Sequence, residues 1–240
     1  MYLSRLILNP RSRQVRNELA DPYEMHRTIC KGIPTANFQD NESSGILFRV
    51  DLHPRTRIPT LLVQSRQKPE WSFLSGVQEL ATASDSKLSD SRVKNYLLGE
   101  SDLPLDVENP AVKEMDFHLR SGQALAFRLR ANPTVKKDRE GKAQGRRVGL
   151  IQEVDQQKWL QRKFESAGAA LVSVNIVNEQ FTHGKLFKEK EKEKRMNFLS
   201  IQFDGVLQVK EPEKLINTIY SGFGSAKGLG FGLLSLARVG

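Results

Sequence analysis

The spacing of hydrophobic positions changes several times along this chain, and each change marks an element. Residues 2–8 alternate and are rich in β-formers, which predicts a strand ending at Asn9-Pro10. Residues 11–19 carry Arg11, Arg13 and Arg16 and predict a helical turn. From 22 to 32 the period becomes helical. Met25, Ile29 and Ile33 recur at i, i+4, i+8 and are expected to face a core. Asp21 can cap this helix, Pro22 suits its first position, and Glu24 can reach back to close a capping box. Residues 45–51 and 59–65 predict a strand pair closed by the turn His53-Pro54-Arg55. Residues 75–111 show no sustained period and contain Pro104 and Pro110, so a long irregular insertion with one helix is expected there. Alternation returns at Met115–Leu119, which predicts a further strand.

The second half has a cleaner pattern. Residues 124–130 form a strand with Leu125, Phe127 and Leu129 on one side and Arg128 and Arg130 on the other. A basic loop follows. The helix near 153–167 draws an apolar face from Val154, Trp159, Leu160, Phe164 and Ala167. Strands are predicted at 171–177 and, as one long element, at 197–209. A helix at 211–220 and a glycine-rich loop lead to a last strand at 233–237. The expected architecture is α+β, two tandem ferredoxin-like (RRM-like) βαββαβ domains with antiparallel sheets. The expected domains are 1–120, interrupted by the insertion at 75–111, and 121–240.

Charge narrows the partner class. The 240 residues carry a formal net charge of +9, which favours a polyanion, nucleic acid before an anionic membrane surface. Cys30 is the only cysteine, so an intramolecular disulfide and a cysteine-based zinc site are both excluded. The four histidines show no metal-ligand spacing, and chemistry without a metal or other cofactor is expected. No run approaches the roughly 20 apolar residues of a membrane span, and the N-terminus does not read as a signal peptide. A cytoplasmic protein is the expectation.

Three regions carry candidate chemistry. On the helix at 22–32, Tyr23, His26, Arg27 and Cys30 recur at i, i+3, i+4, i+7, with Lys31 at its end. A phenol, an imidazole and cations on one face suit proton transfer beside a phosphate. The bland reading of the same residues is a structural histidine among solvated charges. The loop at 133–147 holds Lys136, Lys137, Arg139, Lys142, Arg146 and Arg147, and with Arg128 and Arg130 it forms a candidate track for a nucleic-acid backbone. The run at 183–195 alternates Lys with Glu and reads as a solvated hairpin tip. The loop at 221–232 places Gly222, Gly224, Gly228 and Gly230 around Lys227, so its backbone can approach phosphate oxygens. Its spacing is neither Walker nor Rossmann, which disfavours a nucleotide cofactor. A packing loop is its bland reading. The predicted sheet faces lack interleaved aromatics, which favours duplex shape and backbone over stacked bases as the target.

Four segments jointly resemble one family, the CasE-type CRISPR repeat endoribonucleases of the type I-E Cascade complex. They are Met1-Tyr2-Leu3-Ser4-Arg5-Leu6, Pro22-Tyr23-Glu24-Met25-His26-Arg27, Phe127-Arg128-Leu129-Arg130-Ala131-Asn132-Pro133, and the stretch from Gly222 to Ser235. The resemblance implies two ferredoxin-like domains and a metal-independent cut of precursor CRISPR RNA at the 3′ base of the repeat hairpin. It also implies retention of the product and association with other Cascade subunits. Tyr23 and His26 match the family's catalytic positions, and Lys31 matches a basic position of some members. The insertion at 75–111 is longer than the resemblance implies. In such chemistry the 2′-OH attacks the adjacent phosphate, leaving a 2′,3′-cyclic phosphate and a 5′-OH. His26 serves as acid or base, Tyr23 orients it or the 2′-OH, and Lys31 or Arg27 stabilises the developing charge. The competing class is a non-catalytic module that only holds an RNA hairpin, which does not need Tyr23 and His26 together.

Overall fold

A computed structural model describes residues 1–34, 45–74, 95–104, 106–137, 146–178, 182–188 and 191–239. The chain forms two compact units, Met1–Asp116 and Phe117–Gly240. Among the described residues no helix is long and apolar enough to cross a membrane.

In the first unit, β1 (Tyr2–Ile7) leads into two short helices, α1 (Arg13–Ala20) and α2 (Pro22–Lys31). Ser12 caps α1 and Asp21 caps α2, so the chain turns a corner with a capping side chain at each start. Strands β2 (Leu47–Leu52), β3 (Pro59–Ser65) and β4 (Ala111–Glu114) complete an antiparallel sheet in the order β2-β3-β1-β4. The expected β2–β3 hairpin is present, from Leu47 opposite Gln64 to Leu52 opposite Pro59. Alternate residues of the strands, Leu6, Phe48, Leu61 and Val63, meet Val15, Met25, Ile29 and Ile33 in one apolar core. Burying each such side chain stabilises by about 1.5–3 kcal/mol.

The last strand of this unit is not the expected one. Met115–Leu119 is not a strand, and Ala111–Glu114 pairs with β1 instead. Asn109 sets that choice. Its Oδ1 accepts from Ile7 N at 2.8 Å and its Nδ2 donates to Ile7 O at 2.9 Å, which aligns the next residues beside β1. Two of the three apolar residues of that alternation, Phe117 and Leu119, pack against the core of the second unit. Most of the expected insertion at 75–111 lies outside the described residues, and its described part holds no α-helix. Glu100–Asp102 forms a single 3₁₀ turn within that part, and Ser72–Leu74 forms another just before the insertion.

The second unit runs β5 (Ala124–Ala131), β6 (Thr134–Lys137), β7 (Arg146–Gly149), α3 (Glu153–Ser166), β8 (Ala169–Asn178), β9 (Thr182–Lys188), β10 (Glu191–Phe198), β11 (Ile201–Val209), α4 (Pro212–Ser221) and β12 (Leu234–Arg238). Its main sheet has the order β12-β5-β11-β8. First, third and second strands lie in sequence there, with the last strand beside the first, as in the sheet of the other unit. Both units are thus ferredoxin-like. The ribbons β6–β7 and β9–β10 are additions to that plan, and the expected basic loop is in part the first ribbon.

Two expectations fail locally. The predicted long strand at 197–209 is two strands in different sheets, broken at Leu199-Ser200, where Ser200 is buried and its hydroxyl accepts from Arg130 Nε at 2.8 Å. Val154 is 59% exposed rather than part of the α3 face. Gln156 is buried in that first turn instead, its amide donating to the carbonyls of Leu150 and Ile151 at 2.9 and 3.1 Å. Trp159, Leu160, Phe164 and Ala167 supply the buried face as expected.

Candidate active site

Helix α2 starts as its sequence dictates, with one difference. The Asp21 side chain accepts from Tyr23 N at 3.2 Å and Pro22 opens the helix. Glu24 does not close a capping box. The Asp21 N–H already donates to Asn17 O at the end of α1, at 2.9 Å, and Glu24 pairs with Arg27 at 3.0 Å on the exposed surface. The C-terminal end is set by contact. Gly32 O accepts from Glu70 N at 2.7 Å, and a Cβ on Gly32 would lie 2.4 Å from the ring of buried Trp71, whose indole N–H is held by Ser4 Oγ at 3.0 Å. Gly32→Ala is therefore expected to lower stability by about 1–3 kcal/mol through overpacking, read as a fall in melting temperature.

The expected shared face of Tyr23, His26, Arg27 and Cys30 is split by burial. His26 is only 2% exposed, and its ring lies nearly parallel to Phe48 of β2, with centroids 6.0 Å apart. Cys30, one turn on, is also buried, with Sγ 3.7 Å from His26 Nε2. Burial pulls the His26 pKa down to about 4 and pushes the Cys30 thiol up to about 11, so both are neutral near pH 7. Tyr23 is half-buried, and desolvation raises its phenol above the usual value, with Arg27 opposing. Arg27 and Lys31 are exposed, Arg27 against Glu24 and Lys31 in the last turn. The helix thus offers a neutral, shielded imidazole, a phenol one turn before it and cations outside.

The basic residues of the second unit sit on three features. Arg128 is held bidentately by Asp204, at 2.7 and 3.0 Å, on the exposed side of the sheet. Arg130 donates to Ser200 and lies over the Phe231 ring at 5.6 Å. On the ribbon, Lys136 and Arg147 stand directly opposite each other and both are exposed. Val135 opposite Val148 forms the next pair and lines a groove with residues of α3. Lys137 opposes Arg146 nearer the tip. Arg139 and Lys142 lie outside the described residues.

The glycine-rich loop is pinned at both ends. Phe223 and Phe231 are buried, Phe223 N donates to Gly232 O at 2.9 Å, and Gly232 N donates to Arg130 O at 2.8 Å. Gly222, Gly224, Gly230 and Gly232 all take positive φ, as does Ala226, while Lys227, Gly228 and Leu229 form a 3₁₀ turn. At Gly224 a Cβ would meet the Trp159 ring at 3.2 Å. Part of this glycine content therefore serves packing.

Sequence reasoning missed the partners of these residues. Phe48 was within reach, since alternation in β2 aims Ile46, Phe48 and Val50 at the core beside α2. Asp204, Ser200 and Phe231, which fix the two arginines, come from strand neighbours and a loop that only the folded register brings near.

Comparison with known proteins adds a consistent result. A family model described as CRISPR associated protein matches residues 1–238. The CRISPR-associated endoribonuclease Cse3 of Thermus thermophilus is 33% identical over 245 residues, spanning 99% of this chain and all of that protein. The CRISPR system Cascade subunit CasE of Escherichia coli is 35% identical over 153 residues, 60% of this chain and 74% of CasE. A structure of Thermus thermophilus Cse3 bound to an RNA representing a pre-cleavage complex matches with a TM-score of 0.72 at 31% identity, covering 99% of this chain and 98% of that one.

Proposed function

The chain belongs to the CRISPR-associated family that includes Cse3 and CasE, and on that premise we propose that it is an endoribonuclease of precursor CRISPR RNA. It cuts within the repeat at the 3′ base of the hairpin, needs no metal, and keeps the mature guide bound in the cytoplasm as a Cascade subunit. One observation carries the reading most: Tyr23 and His26 lie one turn apart on α2, with the His26 imidazole kept neutral against Phe48.

The division of labour follows from the chemistry each unit holds. His26, neutral in the free protein, accepts the 2′-OH proton as general base; the 2′-oxygen bonds to phosphorus, and the bond from phosphorus to the 5′-oxygen of the next nucleotide breaks, that oxygen leaving as the 5′-OH with a proton from water. Tyr23 orients the 2′-OH or the imidazole. Lys31 and Arg27 stabilise charge on the phosphate as it builds. The second unit holds the RNA. Like charges placed opposite across a ribbon, as Lys136 and Arg147 are, destabilise it by about 0.2–1 kcal/mol unless an anion lies between or beside them. A phosphate backbone supplies that anion along the ribbon, with Lys137, Arg139, Lys142 and Arg146 extending the track and Arg128 and Arg130 behind it. Lys227 and the backbone around Gly222, Gly224, Gly228 and Gly230 take further phosphates.

A labelled CRISPR repeat hairpin incubated with the protein in excess EDTA is expected to be cut once, the 5′ fragment ending in a 2′,3′-cyclic phosphate. A 2′-deoxy nucleotide at the cut site should leave binding and abolish cleavage. Cleavage of the deoxy substrate, or full suppression by EDTA, rejects the mechanism.

A further inference from the structure

Glu18 is an ionisable residue buried to 4% exposure in α1, on the same side of the helix as Val15. Three neutral donors surround its carboxylate. Oε1 accepts from the Thr28 hydroxyl at 2.7 Å and from Gln14 Nε2 at 2.7 Å, and Oε2 accepts from the Tyr96 phenol at 2.6 Å. Burial raises both the Glu18 carboxyl and the Tyr96 phenol above their usual values. The three donors come from three segments: α1 itself, α2, and the stretch Tyr96–Leu98. That stretch is tied to the end of β1 by Asn9 N to Tyr96 O at 2.9 Å and Leu98 N to Ile7 O at 2.9 Å.

An apolar side chain of similar size would fill this space at lower desolvation cost. Hydrogen bonds add direction, which apolar contacts lack. Thr28 is two residues beyond His26, about 200° around α2, so it anchors the flank of the helix away from the imidazole. His26 stacks on Phe48 of β2. The helix is therefore clamped on two sides, by His26 on Phe48 and by Thr28 on Glu18.

We propose that Glu18 is a positioning residue for RNA cleavage: through the Thr28 hydroxyl it fixes the rotation of α2 about its axis, and with it the placement of Tyr23 and His26 at the scissile phosphate. The assignment rests on the catalytic reading of Tyr23 and His26. Misplacing a reacting group by about 1 Å costs on the order of 100-fold in rate.

The test measures three quantities on the full chain: the single-turnover cleavage rate of a CRISPR repeat hairpin, the Kd for the same hairpin with a 2′-deoxy nucleotide at the cut site, and the melting temperature. Thr28→Val keeps the shape and removes the hydroxyl, and is expected to slow cleavage about 10- to 100-fold with unchanged Kd. Thr28→Ser restores the hydroxyl and should return the rate toward wild type. Tyr96→Phe removes a bond to the same carboxylate without touching α2, and should cut at the wild-type rate. Thr28→Val at the wild-type rate overturns the proposal. So does equal slowing of Thr28→Val and Tyr96→Phe, or a Thr28→Ser as slow as Thr28→Val. His26→Ala separates the layers. If it is inactive while Thr28→Val is normal, only the positioning role fails. If it cuts normally, the catalytic reading fails and the positioning role with it.

Discussion

His26→Ala is expected to lower the single-turnover cleavage rate by about 100- to 10,000-fold while leaving the affinity for an uncleavable repeat hairpin unchanged. The rate falls because the 2′-OH loses its positioned base, whereas the residues proposed to hold RNA belong to the other unit. His26 is also packed against Phe48 and Cys30, so alanine leaves a void and lowers stability. His26→Gln fills most of that space with a group that cannot take up the proton. If both variants lose activity alike, the lost proton transfer is responsible and not the void. The pH profile carries the sign of the role. Burial holds the free imidazole at about pKa 4, and a base acts when unprotonated. As the pH is lowered from about 8 to about 6, kcat/KM should therefore stay level on its acid side, and fall only toward pH 4. A general acid must be protonated, so that role requires activity that declines as the pH rises above the same value. A His26→Ala protein that cuts at the wild-type rate removes the residue from the mechanism.

Helix α2 was legible because its signals are local. Asp21 and Pro22 mark the start, and Met25, Ile29 and Ile33 lie buried as their spacing requires. What failed was whatever depended on a distant partner. The capping box gave way because Asp21 also ends α1, so its N–H was already taken by Asn17. The alternation at 115–119 was real, but Phe117 and Leu119 belong to the core of the second unit, and Asn109 delivers a different segment to β1. The run at 197–209 read as one strand because nothing local shows that Ser200 must turn inward to meet Arg130. The site divides the same way. Which residues share the face of α2 follows from counting. That His26 would be buried and Arg27 exposed depends on where β2 lies. Glu18 carried a faint signal, a charged residue three positions after Val15 on the apolar side of α1, but its partners Thr28 and Tyr96 appear only on folding.

Gly232→Ala is expected to destabilise the protein by about 3–5 kcal/mol and to weaken RNA binding, while bound RNA is still cut at the wild-type rate. Gly232 has φ +89°, a region that costs an L side chain about 1–2 kcal/mol, and an added Cβ would lie 2.6 Å from the carbonyl oxygen of Phe223. That neighbour is backbone and cannot swing aside as a side chain does. Relieving the clash strains two hydrogen bonds, Phe223 N to Gly232 O and Gly232 N to Arg130 O, and each buried partner left unsatisfied costs about 1–3 kcal/mol. These bonds join the two ends of the glycine-rich loop to each other and to β5. Phe231, next in the chain, also supports the Arg130 guanidinium. Loss of the pinning therefore disturbs the loop and Arg130 together, both proposed to hold phosphates. Tyr23 and His26 lie in the other unit, which is why the rate at saturating RNA should survive. Gly228→Ala provides the contrast, since Gly228 is not among the glycines with positive φ and should melt near wild type. Thermal melts, Kd for the 2′-deoxy hairpin and single-turnover rates distinguish the outcomes. If Gly232→Ala weakens binding at an unchanged melting temperature, the glycine faces the RNA directly instead of acting through the fold. If it slows cleavage of saturated RNA, the division of holding and cutting between the two units is wrong.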